Sequence, residues 1–360
     1  MILYDKSLNM KFHDYGIMLP IADNRARRVL EHLGIDETSV YTLDTVRAIY
    51  GFPQGITEED IGRVHSARHT ESLFRDEQSL KEALLACYEL VDEDGRLNRY
   101  EPKHAKKPLT DIFKTILLQN FGSYSACRLA LRGGNTHFNA KNFCFYLGGG
   151  NHHARYNEGS GFCLMNDSII AARKLQAEGS ASLIWIIDVD AHKGDGCAEL
   201  VNILRKQGDL SAERGDDILT LSVHMAGGWP LDIEHLKRSL RENSMNYAPF
   251  APSDLDIPIA EGEEELYLPL LSEGLLKLER LSSKRADIAI VIDGDDPYIK
   301  DELPSASLLK LSLEQMLQRD RHIFDFLQDR GIPSAWFMAG GYGDNAWEPV
   351  AYFLKSIMRF

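Results

Sequence analysis

The sequence predicts an α/β fold, in which one domain holds a central, mainly parallel β-sheet with helices on both of its faces. Along the C-terminal two-thirds of the 360 residues, short apolar runs alternate with longer segments of helical spacing, as in sheets whose parallel strands are joined by helices. Polar residues bound the apolar runs, which is typical of strands buried on both faces. The predicted strands cover residues 143–147, 183–189, 218–222, 255–259, 288–292 and 334–339.

The segments between these strands predict helices, which cover residues 166–178, 263–281 and 313–330. Ser312 and Gln315 have the spacing of a capping box at the start of the third helix, and Gly331 directly follows its end. Ligands of such sheets bind outside the carboxyl ends of the strands. We therefore expect the functional residues just after the predicted strands.

The first 135 residues are more helical than the rest of the chain. Helical spacing covers residues 23–33, 58–74, 80–91 and 111–131, and the polar stretch 92–108 is predicted to be a long exposed loop. No linker, repeat or low-complexity tract interrupts the sequence. We therefore predict a single domain that spans residues 1–360.

Composition excludes some classes of function. A hydrophobic content of 44% suits a substantial core, and the net charge of −14 argues against a protein that holds nucleic acid or an anionic membrane through its overall field. The same charge permits cationic substrates such as lysine side chains or polyamines. No apolar run has the length of a membrane span, and residues 1–6 lack the pattern of a signal peptide. The five cysteines are scattered and lack C-x-x-C spacing, so we expect reduced thiols and a cytoplasmic location.

Alternating polar residues after an apolar run form the first candidate site. Asp188, Asp190 and His192 follow the second predicted strand, and alternate residues of a strand project toward the same side. Carboxylates and an imidazole that face one way are typical ligands of a hard divalent metal. Alternatively, these residues are solvated and only cap the strand. The neighbouring glycines and the tandem His152 and His153 favour a single site.

A series of short motifs extends this observation. In chain order they are GGNHHA at 149–154, GSGFCLMND at 159–167, DVDAHKGDG at 188–196, LSVH at 221–224, GDDPY at 294–298 and GGY at 340–342. Each string alone is weak evidence. Their order and spacing, however, resemble the histone deacetylase superfamily from residue 143 to residue 342.

The resemblance implies a zinc-dependent amidohydrolase of the arginase-deacetylase fold that removes acyl groups from lysine side chains. The family's metal ligands would fall on Asp190, His192 and Asp296. Two carboxylates and one imidazole leave coordination positions open for water and a substrate carbonyl. Zinc is the expected ion, and Fe²⁺ also suits such a ligand set.

The resemblance also implies the catalytic groups. His152 would be oriented by Asp188. His153, oriented by Asp195, is the expected general base, because a carboxylate on one ring nitrogen raises the basicity of the other. Tyr342 would donate a hydrogen bond to the oxyanion.

Substrate contacts and a second ion follow from the same resemblance. Phe162, which follows Gly161, and Trp229 would wall a channel for the alkyl chain of lysine. Leu303 aligns with a rim residue that is acidic in relatives preferring acetylpolyamines, so leucine favours acyl-lysine. A monovalent cation, expected to be K⁺, would bind beneath the zinc. Its ligands would be backbone oxygens of Asp188, Asp190, His192 and Val223 and the hydroxyl of Ser222.

Some positions depart from the family pattern. Lys193 stands where many relatives have histidine or another aromatic residue. Asp293 and Asp295 add carboxylates beside Asp296, where they could raise its pKa, attract a second cation or face solvent.

Other functions remain open. An acetylpolyamine amidohydrolase would use the same chemistry, and a catalytically silent module would keep the pocket to bind acylated lysine. An arginase-like ureohydrolase with two manganese ions would need an aspartate where Gly194 stands. The expected partner is an acylated protein or a small amide, and the oligomeric state is left open.

Overall fold

The computed structural model describes residues 1–51, 55–92, 94–134, 138–211, 217–231 and 251–358. Its strands are β1 (Ile2–Leu3), β2 (Phe143–Tyr146), β3 (Ile184–Asp188), β4 (Ile218–Met225), β5 (Leu255–Ile259), β6 (Ile288–Asp293) and β7 (Ser334–Met338). They form one seven-stranded sheet in the order β1-β2-β7-β6-β3-β4-β5. Every neighbouring pair is parallel. The predicted fold class is confirmed.

Helices cover both faces of the sheet. In chain order they are α1 (Arg25–Leu33), α2 (Leu43–Tyr50), α3 (Glu58–Gly62), α4 (Ala67–Phe74), α5 (Glu77–Cys87), α6 (Ile112–Arg132), α7 (Asp167–Ala177), α8 (Asp195–Gln207), α9 (Tyr267–Leu281), α10 (Leu313–Asp329) and α11 (Glu348–Ser356). Alternate strand residues enter two separate apolar clusters: Ile186 packs in one and Ile187 in the other. This alternation is the reason that the strands read as continuous apolar runs. Within the described part of the chain, no helix is long and apolar enough to cross a membrane.

The predicted helix over residues 58–74 is wrong in one respect, because α3 ends at Gly62 and α4 begins at Ala67. Between them, the Ser66 amide donates to the carbonyl of Tyr156 at 2.9 Å, and Nδ1 of His65 lies 2.7 Å from the carbonyl oxygen of Arg155. The Ser66 side chain then caps α4. Contacts with a distant loop therefore divide a segment whose helical spacing is continuous.

Other element bounds differ at the ends. The helix predicted at 80–91 begins earlier, because Asp76 caps α5 by accepting from the Ser79 amide at 2.8 Å. Strand β4 continues beyond the predicted residue 222 to Met225. None of the predicted elements corresponds to β1, α2, α8 or α11. Strand β1 is too short for a pattern of alternation to appear.

Candidate active site and metal centre

The carboxyl ends of β2, β7, β6 and β3 lie side by side, because these strands are consecutive in the sheet. The loop after β2 carries the tandem histidines, the loop after β3 carries Asp190 and His192, the loop after β6 carries Asp296, and the loop after β7 carries Tyr342. Residues from four distant parts of the sequence therefore meet at one edge, where sheets of this class bind ligands.

Asp190, His192 and Asp296, called here the metal cluster, are buried and bring one ligand atom each to within 4.8 Å of one another. Nδ1 of His192 lies 2.8 Å from Oδ2 of Asp296 and 3.2 Å from Oδ1 of Asp190. The shorter contact is an ion pair between two buried side chains, with Oδ2 of Asp296 facing the ring of His192. Two buried carboxylates around one ring nitrogen suit a divalent cation, and these residues therefore fit a metal.

The other nitrogen of the His192 ring has a partner of its own. Nε2 lies 3.2 Å from the hydroxyl of Ser305. A proton on Nε2 leaves a lone pair on Nδ1, which is the nitrogen that faces the two carboxylates. The contact with Ser305 therefore restrains the orientation of the His192 ring, and nothing in the sequence pattern pointed to this serine.

Two glycines allow the loops to approach Asp190 closely. A Cβ atom on Gly294 or on Gly340 would collide with the Asp190 carboxylate. The Gly340 amide also donates to Oδ2 of Asp190 at 3.1 Å. Glycine at these positions lets the loops after β6 and β7 pack directly against this carboxylate.

Each of the tandem histidines faces a buried carboxylate. Nδ1 of His152 lies 2.7 Å from Oδ2 of Asp188, and Nδ1 of His153 lies 2.6 Å from Oδ1 of Asp195. The two ring centroids are 3.9 Å apart, and Nε2 of His152 is 3.6 Å from Oδ1 of Asp190. The structure thus brings together both predicted pairs, next to the metal cluster.

The two rings differ in their affinity for a proton. Burial alone would lower the pKa of His152, but the carboxylates of Asp188 and Asp190 outweigh burial and raise it to about 9. Burial and the charge of His152 lower the pKa of His153 to about 3, although Asp195 opposes them. At neutral pH, one ring is therefore charged and the other is neutral.

Arg155 is a further residue that the sequence analysis missed. Its Nη2 and Nε donate to Oδ2 of Asp195 at 3.1 Å and 3.2 Å. Burial would raise the pKa of Asp195, but Arg155 and the ring of His153 hold it at about 2. Asp195 therefore stays ionised while it orients His153, and the only sequence signal was the position of Arg155 just after the tandem histidines.

One cavity of about 190 Å³ joins these groups. His152, His153, Asp190, His192 and Tyr342 line it together. It continues past these residues toward the N-terminal segment, where apolar side chains line it. They include Leu8, Met10, Phe12 and Ile21.

The sequence pattern of the histone deacetylase domain matches residues 20–356. The chain belongs to the histone deacetylase family. An uncharacterized protein of Picosynechococcus sp. is 31% identical over 198 residues, and the match spans only 55% of each chain. The acetoin utilization protein AcuC of Staphylococcus aureus is 25% identical over 350 residues, which cover 96% of this chain and 77% of that protein. Histone deacetylase 2 of Arabidopsis thaliana is 24% identical over 306 residues, which cover 79% and 69% of the two chains.

Solved structures of histone deacetylase relatives share the fold. An HDAC homologue from Aquifex aeolicus matches with a TM-score of 0.63 and 18% identity, covering 99% of this chain and 83% of its own. The structure of an HDAC homologue in complex with SAHA matches with the same TM-score, identity and coverage. The HD domain of HDA15 matches with a TM-score of 0.62 and 15% identity, covering 99% and 90%. At these identities the likeness shows the arginase-deacetylase fold.

Not all of the residues that were predicted to contact substrate line the cavity. Phe162 lines the cavity, and the guanidinium of Arg99 lies 5.5 Å from the centre of its ring. The Trp229 ring makes T-shaped contacts with the rings of His153 and His192, at 4.5 Å and 5.6 Å between centroids. Leu303 is 7% exposed and packs in an apolar cluster, and it is not among the described residues that line the cavity.

The positions that depart from the family pattern are all buried and paired. Asp293 lies 2.7 Å from Arg319, and Asp295 lies 2.6 Å from Arg25, so neither faces solvent. The ammonium of Lys193 is 2.7 Å from Asp256. The extra carboxylates thus balance buried guanidinium groups.

The predicted ligands of the monovalent cation lie on neighbouring strand ends. Asp188 and Ser222 are direct register partners of β3 and β4. The Ser222 hydroxyl accepts a hydrogen bond from the Gly194 amide at 3.4 Å. Binding of K⁺ by these residues stays a prediction.

Glu199, beside Arg155, provides a test of the buried charges in this region. Burial raises the pKa of Glu199 from 4.5 to about 7, although Arg155 opposes the rise. A raised carboxyl pKa favours the protonated form in the fold, so the cost to stability is absent below pH 4.5 and grows until the pH passes about 7. Glu199→Gln keeps an acceptor for the Tyr156 amide and cannot ionise. We expect it to stabilise the protein at pH 8 by up to about 3 kcal/mol, and far less at pH 5.

Chemical denaturation at the two pH values measures this difference. Glu31→Gln, at an exposed position of α1, is the control and is expected to change stability equally little at both. An equal gain for Glu199→Gln at pH 5 and pH 8 would show that Glu199 ionises normally in the folded protein.

Proposed function

We propose that this protein is a zinc-dependent hydrolase of the amide bond in acylated lysine side chains. The observation that carries the proposal is that the metal cluster and the two histidine–carboxylate pairs adjoin one cavity, which His152, His153, Asp190 and His192 line. Membership of the histone deacetylase family supports the same class of reaction.

A divalent ion held by Asp190, His192 and Asp296 would polarise the substrate carbonyl and make bound water more acidic. Zinc is the proposed ion, with Fe²⁺ as the alternative, because both accept carboxylate and imidazole ligands. K⁺ is the proposed monovalent ion.

The chain's own residues would move the proton. His153 is neutral at pH 7, and Asp195 occupies its Nδ1, so Nε2 offers a lone pair to the attacking water. The same nitrogen would then return the proton to the leaving amine of lysine. His152 keeps its charge through Asp188 and stabilises the negative charge that develops beside it.

Tyr342 would donate a hydrogen bond to the oxyanion. Burial, with Asp296 and Asp190 nearby, raises its pKa well above the ordinary value, so the hydroxyl keeps its proton. Its backbone amide donates to Oδ2 of Asp301 at 2.7 Å, and Asp301 also accepts from the Leu303 amide at 2.8 Å. Asp301, which the sequence analysis missed, therefore holds the loop that presents the tyrosine.

Loss of this hydroxyl gives a defined prediction. Tyr342→Phe is expected to lower kcat by about 10²–10³, as for other oxyanion donors. Zinc affinity should not change, because the hydroxyl is outside the metal cluster. Steady-state kinetics and a zinc competition titration measure the two effects. Tyr352→Phe, on the exposed surface of α11, is the control, and a Tyr342→Phe enzyme with wild-type kcat would remove the tyrosine from the reaction.

The proposed function is tested by a turnover panel on zinc-loaded protein, read by mass spectrometry. Its substrates are acetyl-lysine and longer acyl-lysine peptides, acetylputrescine, acetylspermidine and arginine, and Asp296→Ala is the inactive control. Peptides with deacylated lysine side chains, formed by the wild type and not by Asp296→Ala, would support the proposal. Because Leu303 is buried, it has little weight in the choice between lysine and polyamine substrates. Turnover of acetylpolyamines only would assign the protein to that substrate class, and silence with zinc bound would favour an acyl-lysine-binding module.

A further inference from the structure

A guanidinium group lies beneath the two loops that carry the metal cluster. Arg319, on α10, is fully buried. Its Nη1 donates to the carbonyl oxygens of Val189 and Gly294, each at 2.9 Å. Its Nη2 donates to Oδ1 of Asp293 and its Nε to Oδ1 of Asp320, each at 2.7 Å. One side chain thus connects the end of β3 to the loop after β6.

The two carbonyl groups lie where these strands separate. The Val189 amide still donates to the carbonyl of Ile292 at 3.1 Å, as in a regular ladder. Beyond this bond, the segments that follow β3 and β6 lead to the residues of the metal cluster. Buried carbonyl groups need a donor, and Nη1 of Arg319 serves the carbonyls of Val189 and Gly294 together. The shared donor takes the place of the next rung of the ladder and fixes the distance between the loops.

The carboxylates beside the guanidinium balance its charge. Asp293 and Asp320 are fully buried, and a buried cation without such partners is strongly destabilising. Neither belongs to the groups of described residues whose ligand atoms converge for a metal. Lysine could not replace Arg319 here, because only the planar guanidinium offers several donors in fixed directions. The extra carboxylate at Asp293 therefore serves the guanidinium.

We infer that Arg319 is a positioning residue of the metal centre. It holds the backbone next to Asp190 and near Asp296 at the separation that lets both carboxylates reach one ion. The inference rests on the proposed metal-dependent function. It adds a fully buried residue of helix α10, which is not among the described residues that line the cavity.

Two variants test this role. Arg319→Lys keeps the charge but removes the fork of donors. The double variant Arg319→Met with Asp293→Leu replaces the ion pair by apolar side chains of similar volume. Folds often tolerate such a replacement. Lys174→Met is the matched control, because it removes another buried cation. The Lys174 ammonium pairs with Asp60 at 2.9 Å, where α3 packs against α7.

The measurements are zinc affinity by chelator competition, the visible spectrum of the Co²⁺-substituted protein, and Tm of the metal-free protein. We expect both Arg319 variants to bind zinc about 10–100-fold more weakly, as when other partners of metal ligands are removed, and to show a changed cobalt spectrum. Lys174→Met should lower Tm and keep the zinc affinity and cobalt spectrum of the wild type.

The outcomes separate this inference from the proposed function. If the wild type binds no metal, the proposed function fails. If the wild type binds zinc and turns over substrate, but both Arg319 variants keep its zinc affinity and cobalt spectrum, the positioning role alone is overturned. The role is also overturned if neither Arg319 variant folds while Lys174→Met does, since Arg319 would then act on stability.

Discussion

Asp190→Asn is expected to abolish both zinc binding and turnover. Oδ1 of Asp190 accepts from the His192 amide at 3.0 Å, and Oδ2 accepts from the Gly340 amide at 3.1 Å. Asparagine has the same shape, but its NH₂ group would face one of these N–H donors, and it has no charge to offer an ion. Loss of metal catalysis removes several kcal/mol of transition-state stabilisation. That loss corresponds to a decrease in kcat/KM of at least about a thousandfold.

Asp287→Asn is the matched control for this prediction. Asp287 accepts from the amides of Ser182 and Leu183, at 2.8 Å and 3.0 Å, at the opposite end of the sheet. The Asp287→Asn variant should keep the zinc affinity and kcat of the wild type, and should differ from it at most in stability. Zinc competition and steady-state kinetics on both variants measure the contrast. Wild-type zinc affinity in Asp190→Asn would exclude Asp190 as a ligand and place the ion elsewhere.

Local rules explain why the sequence could predict that these polar residues lie close together. Alternation along β3 predicted that Asp188, Asp190 and His192 share one side, and the parallel sheet predicted which edge the loops would reach. The structure refines this pattern. Asp188 turns to His152 at 2.7 Å, as the resemblance implied, and leaves Asp190 and His192 to the metal cluster.

The sequence could not predict the residues that support the site from elsewhere. Arg319 lies 130 positions from Val189, and Asp301 lies 41 positions from Tyr342. Pairing over such distances depends on tertiary packing and leaves no periodic pattern in a single sequence. The break between α3 and α4 has the same origin, since His65 is held by the carbonyl of Arg155, 90 positions away.

The proton-transfer role assigned to His153 depends on one free nitrogen. Asp195 accepts at Nδ1 and Arg155 holds Asp195 in place, so the ring has a defined orientation and its Nε2 is available to a water molecule. The Trp229 ring packs against the imidazole, with 4.5 Å between the ring centroids. If asparagine replaced His153, its amide nitrogen would lie near the present position of Nδ1 and would still donate to Asp195. The substitution removes Nε2 and little else.

His153→Asn is therefore expected to lower kcat by about 10²–10⁴, the usual contribution of a general base, while zinc affinity stays at the wild-type value. Stopped-assay kinetics and zinc competition on the same preparation measure both quantities. His69→Gln is the control, because His69 is also buried and its Nε2 lies 2.9 Å from the Leu164 carbonyl oxygen. This variant should lower Tm without changing kcat. If the kcat of His153→Asn stayed within about tenfold of the wild-type value, another group would be the general base. The neighbouring His152 would then be the next residue to substitute.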